Sequence, residues 1–149
     1  MGKKIYVLDT SALLHYPDLM FRLENCEVVI PRAAVGELQG LKHNVNRLIA
    51  EAAETVLNTL HLYGSRILDG VELPSGAILR IYNDFRPIDD LASEADNKIV
   101  GVAIAMKKDT GAEVAVLSTD TNMRNVARAY GLTANVPCFS EDAGLKTVS

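Results

Sequence analysis

Apolar and polar positions follow two rhythms along this chain. Ile5, Tyr6, Val7 and Leu8 form a short unbroken apolar run, and "EVVIP" at 27–31 forms a second, stopped by Pro31. Runs this short, bounded by polar residues, predict buried strands. From Arg32 the spacing of Ala34, Val35, Leu38 and Leu41 predicts a short helix. Over 45–63 the residues Leu48, Ile49, Ala52, Ala53, Val56, Leu57 and Leu60 recur at i, i+3, i+4 and i+7. That stripe predicts an amphipathic helix ending near Gly64.

The middle is less regular. "SRILDG" and "AILRIYND" flank the turn-rich "DGVELPSG", which predicts two strands in a hairpin-like excursion. A helix follows from about Ser93 to Lys108, apolar nearly all round through Ile99, Val100, Val102, Ile104 and Met106, and so packed on more than one side. "VAVLS" (114–118) reads as a strand, "TNMRNVARAY" as a helix closed by Gly131, and "LTANV" as a last strand. No internal repeat, low-complexity tract or linker interrupts the pattern, so residues 1–149 read as one domain. Strands separated by helices predict an α/β fold with a parallel sheet covered on both faces.

In such folds, sites form beyond the carboxyl ends of the strands. Asp9 ends the first strand and is followed by Thr10 and Ser11; "VAVLS" is followed by Thr119, Asp120, Thr121 and Asn122. Two strands thus end on a carboxylate flanked by hydroxyls. Glu37 lies just inside the helix after the second strand, and Asp96, with Glu94 nearby, in the first turn of the apolar helix. Each acid has a plain structural explanation. Asp9 and Asp120 suit N-caps, Ser93 and Asp96 have capping-box spacing, and Glu37 suits a solvated helix face. Together, four acids map to one edge of the sheet. Like charges gathered there persist only if protons or cations share them. An oxygen-only donor set suits hard divalent cations, Mg²⁺ or Mn²⁺. Such a cation polarises a phosphoryl oxygen and acidifies water.

Composition sets the limits. Hydrophobic residues make up 48% and charged residues 23%, ordinary for a folded protein; aromatics are only 5%, so the core must be aliphatic. Cys26 and Cys138 form no C-x-x-C pattern, which fits neither a zinc site nor a disulfide scaffold and suits a reducing compartment. The apolar run after Lys3 and Lys4 is too short for a secretory signal, and nothing approaches the ~18 apolar residues of a membrane span, so the expected location is the cytoplasm. The net charge of −4 speaks against a nucleic-acid binder. The four candidate acids, however, account for that whole excess. Arg22, Arg32, Lys42, Arg47, Lys98, Arg124 and Arg128 are then the candidate phosphate contacts. Arg124, one helical turn beyond Asp120, is the best placed.

The segments "VLDTSALL", "VVIPRAAVGELQGLK", "SEADNKIVGVAIAM" and "VLSTDTNMRNVARAYGL" resemble, in that order, the motifs of the PIN-domain ribonucleases. The match covers nearly the whole chain. "IPRAAVGELQGLK" and "ILRIYNDF" bring it nearest to the N-terminal PIN domain of PhoH-like ATPases. This resemblance implies a three-layer α/β/α sandwich around a mainly parallel sheet, with an acidic Mg²⁺- or Mn²⁺-dependent centre that hydrolyses single-stranded RNA. By position it makes Asp9, Glu37, Asp96 and Asp120 the catalytic and metal-binding acids, with Ser11 and Thr119 in support. Many family members carry a further acid where this chain has Asn122, which weakens the case for a second metal. The resemblance also implies a homodimer, for which the 45–63 helix offers a surface, and a following ATPase domain. No G-x-x-x-x-G-K-[ST] occurs here, so ATP use is not expected of this chain.

On this reading Asp9, Asp96 and Asp120 hold the metal, Glu37 is the candidate general base, and Arg124 or Ser11 positions a phosphate. Two rivals stand beside it. A haloacid-dehalogenase-like phosphatase also begins strand-Asp, but needs a second acid where Ser11 stands. A non-catalytic RNA-binding or assembly domain regulating a PhoH-like ATPase is favoured by Asn122. There is no G-x-S-x-G for a serine hydrolase. His15, reading as a turn residue before Pro17, stands apart from His43 and His61, which suit helix surfaces or ends. Tyr16, Phe21 and Phe85 are candidate stacking residues or, more simply, core.

Overall fold

The computed structural model describes residues 3–139 together with the strand at 145–148. Seven strands form one sheet: β1 (Lys4–Leu8), β2 (Glu27–Pro31), β3 (Val71–Glu72), β4 (Ile78–Tyr82), β5 (Glu113–Leu117), β6 (Thr133–Phe139) and β7 (Leu145–Val148). Their order is β3-β4-β2-β1-β5-β6-β7. The inner five run parallel, whereas β3 and β7 lie antiparallel at the edges. Crossovers between parallel strands need a helix or comparable connection, and the chain supplies them. The helices are α1 (Thr10–His15), α2 (Leu19–Arg22), α3 (Arg32–Leu41), α4 (Arg47–Tyr63), α5 (Glu94–Thr110) and α6 (Thr121–Ala129). Helices and sheet make the three-layer α/β/α sandwich of the mainly parallel class.

The core is aliphatic. Ile5, Val7 and Leu8 of β1, Val28, Val29 and Ile30 of β2, and Val116 and Leu117 of β5 are all fully buried. Unbroken burial along β2 is the mark of a strand covered on both faces. α5 meets β1, β2 and β5 on one side and α3 and α6 on others, which is why Ile99, Val100, Val102, Ala103 and Met106 are all buried. Its ends are capped at both termini. Ser93 Oγ accepts from the Asp96 N–H at 3.3 Å, and Gly111 takes the left-handed conformation at φ 68°. Asn46 caps α4 through Leu48 and Ile49.

Three parts of the predicted order change. The strand at "LTANV" is not the last, because β7 follows β6 and pairs with it antiparallel. Residues 65–70 are not a strand: Gly64–Leu68 is a 3-10 turn, and the strand is the two-residue β3. Positive φ at Gly64 (57°) and Gly70 (110°) bends the chain at both ends of that segment. Residues 10–22 hold α1 and α2, which the pattern did not announce because six and four residues are too short for a helical period to register. His15 accordingly ends α1 rather than occupying a turn. Both cysteines are free, and burial pushes the Cys26 thiol up to about 11. Among the described residues no helix is long and apolar enough to cross a membrane.

Candidate active site

The parallel pairing of β1 with β5 is in register from Lys4 with Glu113 to Leu8 with Leu117. The next residue on each strand is therefore Asp9 and Ser118, side by side at the carboxyl edge. Asp9 N–H donates to Leu117 O at 3.0 Å, which closes the ladder just where the site begins. Asp9 occupies the N-cap position of α1 but makes no side-chain cap. Its Oδ2 instead accepts from Ser11 Oγ at 2.7 Å and from Ser118 Oγ at 2.7 Å. The capping explanation fails for this residue. Two hydroxyls hold one oxygen of a carboxylate that is only 3% exposed.

Glu37 arrives from α3, whose start is set by the exit of β2 through Pro31. Thr10 Oγ1 donates to Glu37 Oε1 at 2.6 Å, tying α1 to α3 across 27 residues. Asp96 stands in the first turn of α5. Asp9, Glu37 and Asp96 each bring a carboxylate oxygen within 4.8 Å of the others. Among the described residues none of the three forms an ion pair. No protein donor among the described residues bonds the Asp96 carboxylate.

That isolation sets the electrostatics. Burial, then the charges of Asp9, Glu37 and Asp120, lift the Asp96 carboxyl from 3.8 to about 6. The amino end of α5 pulls the other way, by about 0.3–1 kcal/mol, and is outweighed. Asp9 is also raised, chiefly by burial and slightly by Asp120, against the hydrogen bonds from Ser118, Ser11 and the Thr10 backbone. Three carboxylates without an ion-pair partner, forming an oxygen-only donor set, fit a hard divalent cation such as Mg²⁺ or Mn²⁺. A structural ion-pair cluster would have brought its own cation, and this one has none.

Asp120 is drawn toward this edge but is differently employed. Its Oδ1 caps α6, accepting from Asn122 N–H at 2.9 Å and Met123 N–H at 3.4 Å, and its own N–H donates to Ser118 Oγ at 3.0 Å. It contributes charge to Asp96 without joining the group of three oxygens. Asn122 is exposed and bonds Asp120 through its backbone. Arg124 donates to Ser118 O at 3.0 Å and Thr121 Oγ1 at 3.2 Å, so it braces the β5–α6 turn. Thr119 supports the site through its backbone N–H, which donates to Ser11 Oγ at 3.1 Å.

The hydroxyls that touch the acids include two that the sequence reading did not single out, Ser118 and Thr10. Ser118 is fully buried and joins Asp9, Ser11 and Asp120. A signal for it existed: a small polar residue closing an otherwise apolar strand, immediately before the acid-bearing turn.

Comparison with known proteins agrees with this architecture. The family model described as PIN domain matches residues 6–136. Protein PhoH2 of Bacillus subtilis is 33% identical over 143 residues, covering 88% of this chain and 32% of that protein. Protein PhoH2 of Thermobispora bispora is 32% identical over 136 residues, covering 88% of this chain and 31% of that one. The chain thus spans about a third of the length of these relatives. Among solved structures, a domain of a functionally unknown protein from Methanocaldococcus jannaschii superposes with TM-score 0.57 at 22% identity, covering 99% of this chain and 100% of that one. A PilT N-terminus domain protein from Sulfolobus solfataricus superposes with TM-score 0.54 at 15% identity, covering 87% of this chain and 84% of its own. At these identities the two structures speak to the fold alone.

Proposed function

The chain belongs to the PIN-domain family, and from that premise we propose that it is a metal-dependent ribonuclease hydrolysing phosphodiester bonds of single-stranded RNA. The observation that carries the reading is the convergence of Asp9, Glu37 and Asp96 within 4.8 Å, from three separate elements and without a counter-charge. A divalent cation held by these three would supply a Lewis acid for the phosphoryl oxygen and make water available as hydroxide at neutral pH.

The residues of the chain divide the remaining work. Ser11 and Ser118 fix Asp9 Oδ2 and hold that carboxylate in one orientation. Thr10 does the same for Glu37 through Oε1. Asp96, from the first turn of α5, completes the set of three carboxylates that would hold the cation. Glu37, the sequence-based candidate for general base, serves in this reading as a ligand whose hydroxyl bond orients it. Asp120 holds the turn after β5 and adds negative charge that favours cation capture. Arg124, engaged with Ser118 O and Thr121, positions that turn.

The same reading makes single-stranded RNA the partner, a second copy of the chain an associate, and an ATPase domain of a longer PhoH-like protein a neighbour. α4 supports the second of these. Leu48 and Leu62 on it are 78% and 80% exposed. A cytoplasmic setting suits the two free cysteines.

A second reading, a non-catalytic RNA-binding or assembly domain, is favoured by one observation. The fourth acid spends Oδ1 on capping α6, and the next candidate position is Asn122. One experiment separates the two. A labelled single-stranded RNA is incubated with Mn²⁺, Mg²⁺ or EDTA, with the parent chain and with Asp96→Asn. Metal-dependent products absent from the variant are expected. RNA binding without products, by a folded parent chain, would transfer the conclusion to the regulatory domain.

A further inference from the structure

Residues 83–93 between β4 and α5 have no regular secondary structure, yet α5 grips them at two points. Arg86 N–H donates to Gly101 O at 2.9 Å, and a Cβ on Gly101 would stand 2.3 Å from Arg86 O and 3.2 Å from Phe85 Cβ. Only glycine lets the loop lie this close to the helix. Toward the other end, the buried Asn97 amide donates to Leu91 O and accepts from Leu91 N–H, both at 2.9 Å. The loop is therefore fixed in advance, and it presents Phe85 at 39% exposure beside Lys98, whose ammonium lies 5.6 Å from the ring centroid.

Lys98 is two residues beyond Asp96 and lines three cavities, two of which adjoin along α3. One, of 360 Å³, is bordered by Glu37, Gly36, Ala33, Glu94 and Ala95 and opens beside the acidic centre. The other, of 160 Å³, is bordered by Arg32, Tyr82, Asn83, Phe85 and Val102. Ala33 and Lys98 form their shared wall. Along α3 the step is from Glu37 to Ala33, and along α5 from Glu94 to Lys98, so the cavities succeed each other by one helical turn, about 5.4 Å. The farther cavity is below the ~300 Å³ at which whole-ligand pockets begin, a size for one ring system. Its walls offer two cations, two aromatic rings and one amide. Arg32 has no ion pair among the described residues. Lys98 reaches Glu94 at 3.2 Å, but that carboxylate is 85% exposed, and such a pair is worth little against a phosphate.

We propose that this cleft between α3 and α5 is a nucleotide subsite, in which one base of a single-stranded RNA stacks on Phe85 while Lys98 and Arg32 hold the phosphate between that base and the acidic centre. The inference rests on the ribonuclease reading, which supplies the substrate class. Stacking on a fixed ring tolerates any base, so the subsite confers register and affinity without sequence preference. It also answers the charge objection. Asp9, Glu37 and Asp96 concentrate negative charge at the metal end of the cleft, and the strand is gripped by cations one turn away.

The test is an anisotropy titration of labelled single-stranded RNA, with Mg²⁺, against the uncleaving Asp96→Asn chain and the same chain carrying Phe85→Ala, Phe85→Tyr or Lys98→Gln. Phe85→Ala keeps the Cβ that packs on Gly101. It is expected to weaken binding roughly tenfold, with Phe85→Tyr restoring it. Scanning one abasic nucleotide along the RNA should find a position that costs the Asp96→Asn chain the same factor and costs the Phe85→Ala chain nothing further. In the cleaving background, Phe85→Ala should raise KM more than it lowers kcat. If Phe85→Ala and Lys98→Gln bind as tightly as their parent while the parent chain cleaves RNA, the subsite is wrong and the ribonuclease reading stands. A flat abasic scan likewise overturns it, because the cleft then holds something other than a base. A parent chain that neither binds nor cleaves RNA removes both.

Discussion

Ser118 Oγ donates to Asp9 Oδ2 at 2.7 Å across the seam between β1 and β5, joining residues 109 apart in the chain. The same oxygen accepts from Asp120 N–H at 3.0 Å. One buried hydroxyl thus links the strand that carries the first acid to the turn that carries the fourth. The first bond depends on the register of the two strands, whereas the second is local to the turn after β5.

Ser118→Ala is therefore expected to do more than remove a small side chain. It leaves a buried carboxylate with one hydroxyl donor and the Asp120 N–H without its acceptor, at a cost of about 1–3 kcal/mol. Asp9, relieved of a bond that favours its charged form, should move further upward. Urea unfolding in EDTA checks the first point, and Mn²⁺ affinity, expected to fall, the second. Unchanged stability would mean that water replaces the hydroxyl at no cost.

The acidic centre should make the metal-free protein less stable as pH rises. Asp96 titrates near 3.8 when unfolded and about 6 when folded. Between those values the folded state binds more protons, so unfolding free energy falls as pH increases, and the loss is complete above about 6. Asp96→Asn should abolish most of that slope and stabilise the metal-free chain at pH 7, by less than about 1 kcal/mol because the charge is only partly buried and solvent screens it. It should abolish the stabilisation given by Mn²⁺ as well. Mn²⁺ affinity of the parent chain should climb through the same window, since the proton must leave first. Thermal unfolding at several pH values, with and without Mn²⁺, decides this. Parallel pH profiles for parent and variant would count against a shared cluster.

Gly101 and Gly40 form a matched pair on two helices. A Cβ at Gly40 meets nothing within 4 Å, whereas at Gly101 it strikes the Arg86 carbonyl at 2.3 Å. Gly40→Ala should stabilise by about 0.5–1 kcal/mol through helix propensity. Gly101→Ala has the same gain in propensity but must push the 83–86 backbone off α5, and should destabilise by about 1–3 kcal/mol. Denaturant midpoints measure both. Equal effects at the two positions would show that the loop is not held by this contact.

Much of the architecture was legible in the residues, and the reasons are local. The apolar runs at 5–8, 27–31 and 114–118 are strands, and the stripe over 45–63 is α4. The all-round apolarity of α5 foretold burial among several elements. Where the reading slipped, local signals were weak or divided. "SRILDG" has the composition of a strand, but glycines with positive φ bound it, and tertiary packing made it a 3-10 turn. For the site, strand-end logic singled out Asp9, Glu37, Asp96 and Asp120. It did not separate the three whose oxygens converge from Asp120, which caps a helix.

What the sequence determined alone is whatever depends on neighbours along the chain: the period of each element, its caps, and the acid or hydroxyl that follows each strand. Strand order, register and the packing of α3 on α5 were decided only in three dimensions. These bring the carboxylate oxygens within 4.8 Å of one another, choose Ser118 and Thr10 as their supports, and place Phe85 beside Lys98. The physical reason is range. Propensity and capping act within a turn or two, while a raised carboxyl such as Asp96 owes its state to burial and to charges brought from residues 9, 37 and 120 by the fold as a whole.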